Sequence, residues 1–187
     1  MDAPILEVRR LVKQFPGVKA LKEISLAFLP GEVHAVVGEN GAGKSTLMHV
    51  LAGDLQPDSG EILVDGARMV IASPLASRRL GIRTVYQELS LCPNLTVAEN
   101  VMLPDAAGRP SLSLRQRAAM RLTAREVLAR LGMAGLDPDT KLRQLSVAQM
   151  QLVEIARAIA EKARLLVLDE PNSALSPRES ERLFAVL

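Results

Sequence analysis

The sequence predicts an α/β fold, and three observations carry that reading. Short apolar runs set off by turn residues fill the first third. Apolar residues at helical spacing take over in the middle. A further apolar run, Leu165–Leu168, returns before a last helical stretch. Strands alternating with helices point to α/β architecture. The 187 residues suit one domain or slightly more. With 48% hydrophobic and 24% charged residues, the chain has the composition of a packed protein.

Each element follows from local signals. Ile5–Val8 and Ile24–Leu29 read as strands, separated by the turn Phe15-Pro16-Gly17. Glu32–Val37 is a short apolar run, expected as a strand, that ends in a glycine-rich loop. Lys44–Leu51 reads as a helix, with Leu47 and Leu51 at i, i+4. Gly60–Val64 and Ile82–Tyr86 are strand candidates, and Pro57-Asp58-Ser59-Gly60 is a turn. Thr96 and Glu99 form a capping box, and Pro104–Ser111 reads as a loop. Leu114–Leu131 is a long helix ended by Gly132. Its arginines, Arg115, Arg117, Arg121, Arg125 and Arg130, suit a solvated face better than a membrane-surface role. Val147–Ala160 is a second helix with Leu152, Ile155, Ala156 and Ile159 as its apolar stripe. Leu165–Leu168 reads as a buried strand. A last helix begins near Pro177 and is still periodic at Leu187.

Composition excludes several functions. Lys plus Arg number 23 and Asp plus Glu 21, a net charge of +2, which does not favour nucleic acid as a partner. Aromatics are 2% of residues, too few for base-stacking platforms. The single cysteine, Cys92, permits no intrachain disulfide and no cysteine zinc site; it is expected as a small, partly buried filler. His34 and His49 lack partners at metal spacing. No apolar run reaches the ~20 residues that span a bilayer, and the first residues do not resemble a signal peptide. A soluble protein of a reducing compartment is expected.

Two motifs carry chemistry. Gly38-Glu39-Asn40-Gly41-Ala42-Gly43-Lys44-Ser45 fits the pattern G-x-x-x-x-G-K-[ST], and Thr46 follows it. Small residues let successive backbone N–H groups turn inward as an anion nest. The helix that follows adds its positive end. Lys44 brings a mobile charge for the β- and γ-phosphates, and Ser45 a hydroxyl for Mg²⁺. The second motif is Asp169-Glu170, at the end of Leu165–Leu168. Strand carboxyl ends open toward the ligand crevice in parallel sheets. Asp169 would hold the Mg²⁺ shell, and Glu170 would act as general base on an attacking water. None of the asparagines, Asn40, Asn94, Asn100 and Asn172, is followed by Lys, so the base-reading motif of GTPases is absent. On these residues alone a small-molecule kinase competes with a hydrolase.

Three more segments point to a family: Val85-Tyr86-Gln87-Glu88-Leu89, Leu145-Ser146-Val147-Ala148-Gln149, and Ser173-Ala174-Leu175-Ser176. With the phosphate loop, their order resembles the nucleotide-binding subunit of an ABC transporter. More narrowly, it looks like the first ATPase half of bacterial monosaccharide importers of the ribose, galactose and xylose group. Phe15–Leu21 and Leu145–Ile159 add to that resemblance, which covers essentially the whole chain.

The resemblance implies a P-loop core of ABC type, with an N-terminal antiparallel β part and an inserted helical subdomain. The expected division of one domain over 1–187 is a β part and core at about 1–88, a helical part at about 89–160, and the acidic strand with its D-loop at about 161–187. ATP and Mg²⁺ are the implied cofactors. Gly38 to Thr46 would bind ATP, with Phe15 stacked on adenine. Glu170 and Gln87 would be catalytic, and Ser45, Gln87 and Asp169 would face the metal. Ser146, Val147, Ala148 and Gln149 match the signature motif, which binds ATP held by an opposite ATPase domain. The stretch after Gln87, through Asn100 and Met102, resembles the surface that receives a permease. Implied partners are permease subunits, a second ATPase domain and, indirectly, an extracytoplasmic solute-binding protein. The implied location is the cytoplasmic face of the bacterial inner membrane.

Three departures qualify the resemblance. Val147 and Ala148 stand where the usual signature has glycines, and both restrict the backbone. Ser176 replaces the usual D-loop aspartate. The family's switch histidine lies on a strand beyond the acidic pair, and no His follows Glu170. The expectation is therefore a C-terminally truncated domain with an incomplete core sheet, missing the strand between the phosphate-loop strand and the Asp169 strand. Import powered by ATP is the leading expectation. A module that binds nucleotide with little hydrolysis, and a non-transport ABC ATPase in translation or DNA repair, are the alternatives.

Overall fold

The N-terminal hairpin shows how local chemistry sets the fold. In the computed structural model, which describes residues 3–39, 41–103 and 113–187, β1 (Leu6–Phe15) runs back on β2 (Val18–Phe28). Pro16 supplies the fixed φ of the turn and Gly17, at φ 80°, its left-handed corner. The pairing runs from Leu6 opposite Phe28 to Phe15 opposite Val18. Both strands extend well beyond the expected Ile5–Val8 and Ile24–Leu29. Register shifts break the strict apolar alternation between Val8 and Gln14, and that masked the continuation. At one shift Arg10 takes φ 47°, and its N–H donates to Ser25 Oγ at 2.9 Å.

The chain divides into two units, 1–84 with 164–167, and 85–163 with 168–187. In the first, an antiparallel sheet has the order β2-β1-β3-β4, with β3 Ser59–Val64 and β4 Ala67–Met69. Its core joins Leu6, Val8 and Leu11 of β1 to Ile62 and Val64 of β3. Leu47, Val50 and Leu51 of helix α1 (Lys44–Ala52) belong to the same cluster. A short helix α2 (Pro74–Arg79), capped by the Ser73 hydroxyl, was not read from the sequence. Strand β5 (Ile82–Val85) pairs with β6 (Leu165–Leu168) as a separate two-stranded sheet. Arg164 N donates to Gly81 O and Asp169 N to Val85 O, so the two strands run parallel.

Two expectations about strands are corrected. Glu32–Val37 forms no strand: these residues pair with none of the described strands, and Val33 and Val37 are 76% and 90% exposed. A single extended segment cannot satisfy its own backbone groups, so without a neighbouring strand the apolar run stays open. Leu165–Leu168 is a strand but is half-buried, because among the described strands only β5 lies beside it.

In the second unit, α3 (Val97–Val101), α4 (Leu114–Arg130) and α5 (Val147–Ala160) pack on one another. Val97 and Val101, Ala124 and Leu128, and Leu152 and Ile155 are fully or almost fully buried. Arg121 pairs with Asp139 at 2.8 Å on the exposed side of α4, in keeping with a solvated face. The last helix is α6 (Pro177–Val186). The loop expected at Pro104–Ser111 lies outside the described residues. No helix among the described residues is long and apolar enough to cross a membrane.

Candidate functional site

The phosphate loop is built by glycine geometry and closed by its own lysine. Gly41 and Gly43 adopt φ 83° and 92°, which turns the chain sharply into α1. A Cβ on Gly43 would lie 2.2 Å from the carbonyl oxygen of Ala20 on β2, so no side chain fits there. Ala42 N donates to Glu39 O at 3.1 Å. Lys44 Nζ reaches back to donate to Gly38 O at 2.6 Å and Glu39 O at 2.9 Å. The ammonium is thereby held inside the curl of the loop, at the start of α1. Helix geometry leaves the first N–H groups of α1 without intrahelical acceptors, and Ser45 is exposed beside them. A loop turned by two left-handed glycines, a held cation and a free helix end fit a polyphosphate. Asn40, assigned to this loop from the sequence, lies outside the described residues.

Phe15 ends β1 and is 37% exposed. Lys13 Nζ stands 5.8 Å from its ring centroid and binds Asp58 at 2.9 Å. The ring therefore has one cation-covered face and keeps exposed surface for a further planar group. His34 and His49 each pair with a nearby carboxylate, Glu32 and Asp54.

In the second unit, Gln87 and the Asp169-Glu170 pair leave the carboxyl ends of two adjacent parallel strands. Asp169 N is anchored on Val85 O at 3.0 Å, two residues before Gln87. Gln87 and Glu170 are exposed and Asp169 is half-buried. Glu170 takes φ 48°, a left-handed conformation that costs a non-glycine residue about 1–3 kcal/mol. Ser173 N donates to Glu170 O at 3.1 Å, starting the turn toward α6. Among the described residues no three His, Cys, Asp or Glu side chains cluster as a metal site. Within this unit the Gln87 amide and the Asp169 carboxylate are oxygen donors of the kind that Mg²⁺ accepts.

The signature segment opens α5. Ser146 is its N-cap: its Oγ accepts from Gln149 N at 3.2 Å, while Gln149 Oε1 accepts from Ser146 N at 3.0 Å. This is a capping box, and it commits the Gln149 side chain. Val147 and Ala148 sit at the first two helical positions, where N–H groups have no partner within the helix. Ser176 has the same role in α6, reciprocally bonded with Glu179.

A family model described as ABC transporter matches residues 21–173, most of the chain. The chain belongs to the ABC transporter family. Among its relatives, the ribose import ATP-binding protein RbsA 1 of Burkholderia ambifaria is 51% identical over 187 residues, covering 98% of this chain. The RbsA 2 protein of Escherichia coli O157:H7 is 47% identical over 186 residues, covering 100% of this chain. The chain spans only about a third of these relatives, 36% in each case. Solved ABC cassettes share the fold. The ADP conformation of the cassette MJ1267 superposes with a TM-score of 0.80 at 28% identity, over 98% of this chain and 75% of that one. The cbiO1 protein of Clostridium perfringens, part of the ABC transporter complex cbiONQ, gives 0.80 at 29% identity, over 99% and 72%.

Two features of this ABC chain were missed in the sequence. Asn100 is fully buried: its Oδ1 accepts from Cys92 N at 2.7 Å, and its Nδ2 donates to Cys92 O and Thr96 O. It shapes the segment after Gln87 from inside instead of presenting a contact. Glu154 is a carboxylate buried in the apolar side of α5. Its helical position next to Leu152 and Ile155 was the one signal that could have revealed it.

Proposed function

We propose that this chain is the ATP-binding part of an ATPase that powers import of a small solute, a monosaccharide, through a membrane permease. The observation that carries this reading is the 51% identity to a ribose import ATP-binding protein over essentially the whole chain. The phosphate loop supports it, since a lysine held among loop carbonyls is pre-placed for a triphosphate.

Each residue then has a task. Loop N–H groups from Gly38 to Thr46 take the phosphate oxygens, and Lys44 moves from its carbonyls to the β- and γ-phosphates. Phe15 offers its ring to adenine. Ser45, Asp169 and Gln87 would hold Mg²⁺, which when bound neutralises charge building on the phosphates. Glu170 orients a water and accepts its proton as attack proceeds. The free N–H groups at Val147 and Ala148, with the Ser146 hydroxyl, would face ATP held by a second ATPase domain. Through the permease the protein would sit on the cytoplasmic face of the inner membrane and serve an extracytoplasmic solute-binding protein. The division into a β part with the core, a helical part and an acidic strand over 1–187 belongs to this reading.

The test uses the full-length protein with its permease in vesicles. Lys44→Ala should abolish ATP binding and uptake of labelled ribose. Glu170→Gln should bind ATP and hold it unhydrolysed. Hydrolysis by Glu170→Gln at the wild-type rate would remove the general-base role. ATP binding without hydrolysis in the wild type would favour a pure nucleotide-binding module. Hydrolysis that moves no sugar would favour a non-transport role.

A further inference from the structure

The segment after Gln87 is pinned to the signature helix by an ion pair with a buried carboxylate that the proposed chemistry does not use. Glu154 lies in the middle of α5 and is 2% exposed. Its Oε1 accepts from Ser90 Oγ at 2.8 Å, and its Oε2 accepts from Ser90 N at 3.3 Å. Arg157, one turn further on, binds Glu154 and donates to Ser90 Oγ at 2.7 Å and Ser90 O at 3.1 Å. All the polar groups of Ser90 (its N–H, hydroxyl and carbonyl) are thus gripped by two side chains of one helix.

A buried charge costs free energy unless paired and hydrogen-bonded. An apolar residue would fill the same space without that cost, as Leu152 and Ile155 do beside it on the helix. What the ion pair adds is direction. An apolar contact lets a loop slide, whereas four hydrogen bonds to one residue fix both position and orientation. Ser90 is three residues after Gln87, and α5 begins at the signature Ser146. Any shift of α5 is therefore transmitted to Ser90, and along a short stretch of backbone to Gln87.

We propose that Glu154, with Arg157, is a positioning residue that locks Ser90 so that the Gln87 segment and the signature helix move as one body. The proposal rests on the ATPase reading above, because it concerns when Gln87 is correctly placed for the reaction. Nothing in the lock touches the phosphates, so it acts on kcat and leaves nucleotide affinity alone.

The experiment compares steady-state ATP hydrolysis by the full-length protein with its permease for wild type, Ser90→Ala, Ser90→Thr, Glu154→Gln and the Ser90→Ala/Glu154→Gln pair. Thermal melts are recorded alongside. Ser90→Ala and Glu154→Gln should each lower kcat about tenfold or more, since small misplacements of positioning groups cost that much. KM for ATP should stay within about twofold. The double variant should be no slower than the worse single one, because both break the same lock. Ser90→Thr, which keeps the hydroxyl, should recover most of kcat. Unchanged kcat in Ser90→Ala, equal losses in the alanine and threonine variants, or additive losses in the double variant would each overturn the proposal. If Glu154→Gln does not fold, the Ser90 pair decides. A wild type that hydrolyses no ATP overturns the ATPase reading, and the lock's role falls with it.

Discussion

Glu170 carries two demands that pull apart. Its carboxylate is the proposed base, and its backbone sits at φ 48°, where a Cβ is strained. Glycine there relieves the strain and alanine does not. Glu170→Gly should therefore be more stable than Glu170→Ala by about 1 kcal/mol, read from urea unfolding, while both lose hydrolysis. Equal stabilities would mean that the strain is not real. At this scale the sequence was most legible where chemistry needs particular atoms. The glycines of the phosphate loop could be read because the turn into α1 needs φ above zero at Gly41 and Gly43. Glu154 could not. Charged residues within a helix usually face water, and only the fold brings Ser90 to it from 64 positions away. The commitment of Asn100 to the backbone of Cys92 was hidden in the same way.

Helix starts are the most legible elements. Thr96 with Glu99 was read as a capping box and is one, and Ser146 with Gln149 forms another. Ser113 with Gln116 and Ser176 with Glu179 repeat the device. The Glu99 carboxyl accepts from Thr96 N at 2.7 Å, and that bond, above all, holds its pKa below the ordinary value. Burial pulls the other way and does not win. A carboxyl depressed in the folded state stabilises it above the unfolded pKa of about 4.3, and that help fades as pH falls through the lower folded value. The stability gap between wild type and Glu99→Gln should accordingly be full near neutrality and close in acid. A gap that ignores pH across that range would assign the box no charge-assisted strength. Strand ends were less legible. The β1–β2 hairpin runs through charged positions and register shifts, so the two-residue period fails before the strands do. Short α2 escaped notice although Ser73-Pro74 is a good start signal, since six residues show too little periodicity.

Across the molecule, the α/β class and the antiparallel sheet could be read in advance. The fate of Glu32–Val37 could not, because a strand depends on its neighbours as much as on its own residues. Amides of residues 33–37 in the 187-residue chain should exchange with solvent at nearly the rate of an open peptide, while those of Val8 and Ile62 are slowed. Protection of residues 33–37 equal to that of β3 would reveal a partner for them. The repeated capping boxes have a consequence in time as well as in space. Beginning a helix is its slow and unfavourable step, because several residues must be ordered for one hydrogen bond. At α3, α4, α5 and α6 a side chain three residues away contributes reciprocal bonds at that step. These helices can therefore start from information within four residues, before distant parts of the chain meet. Folding of the helical unit should begin locally, and the lock between Ser90 and Glu154, which joins distant positions, should close late.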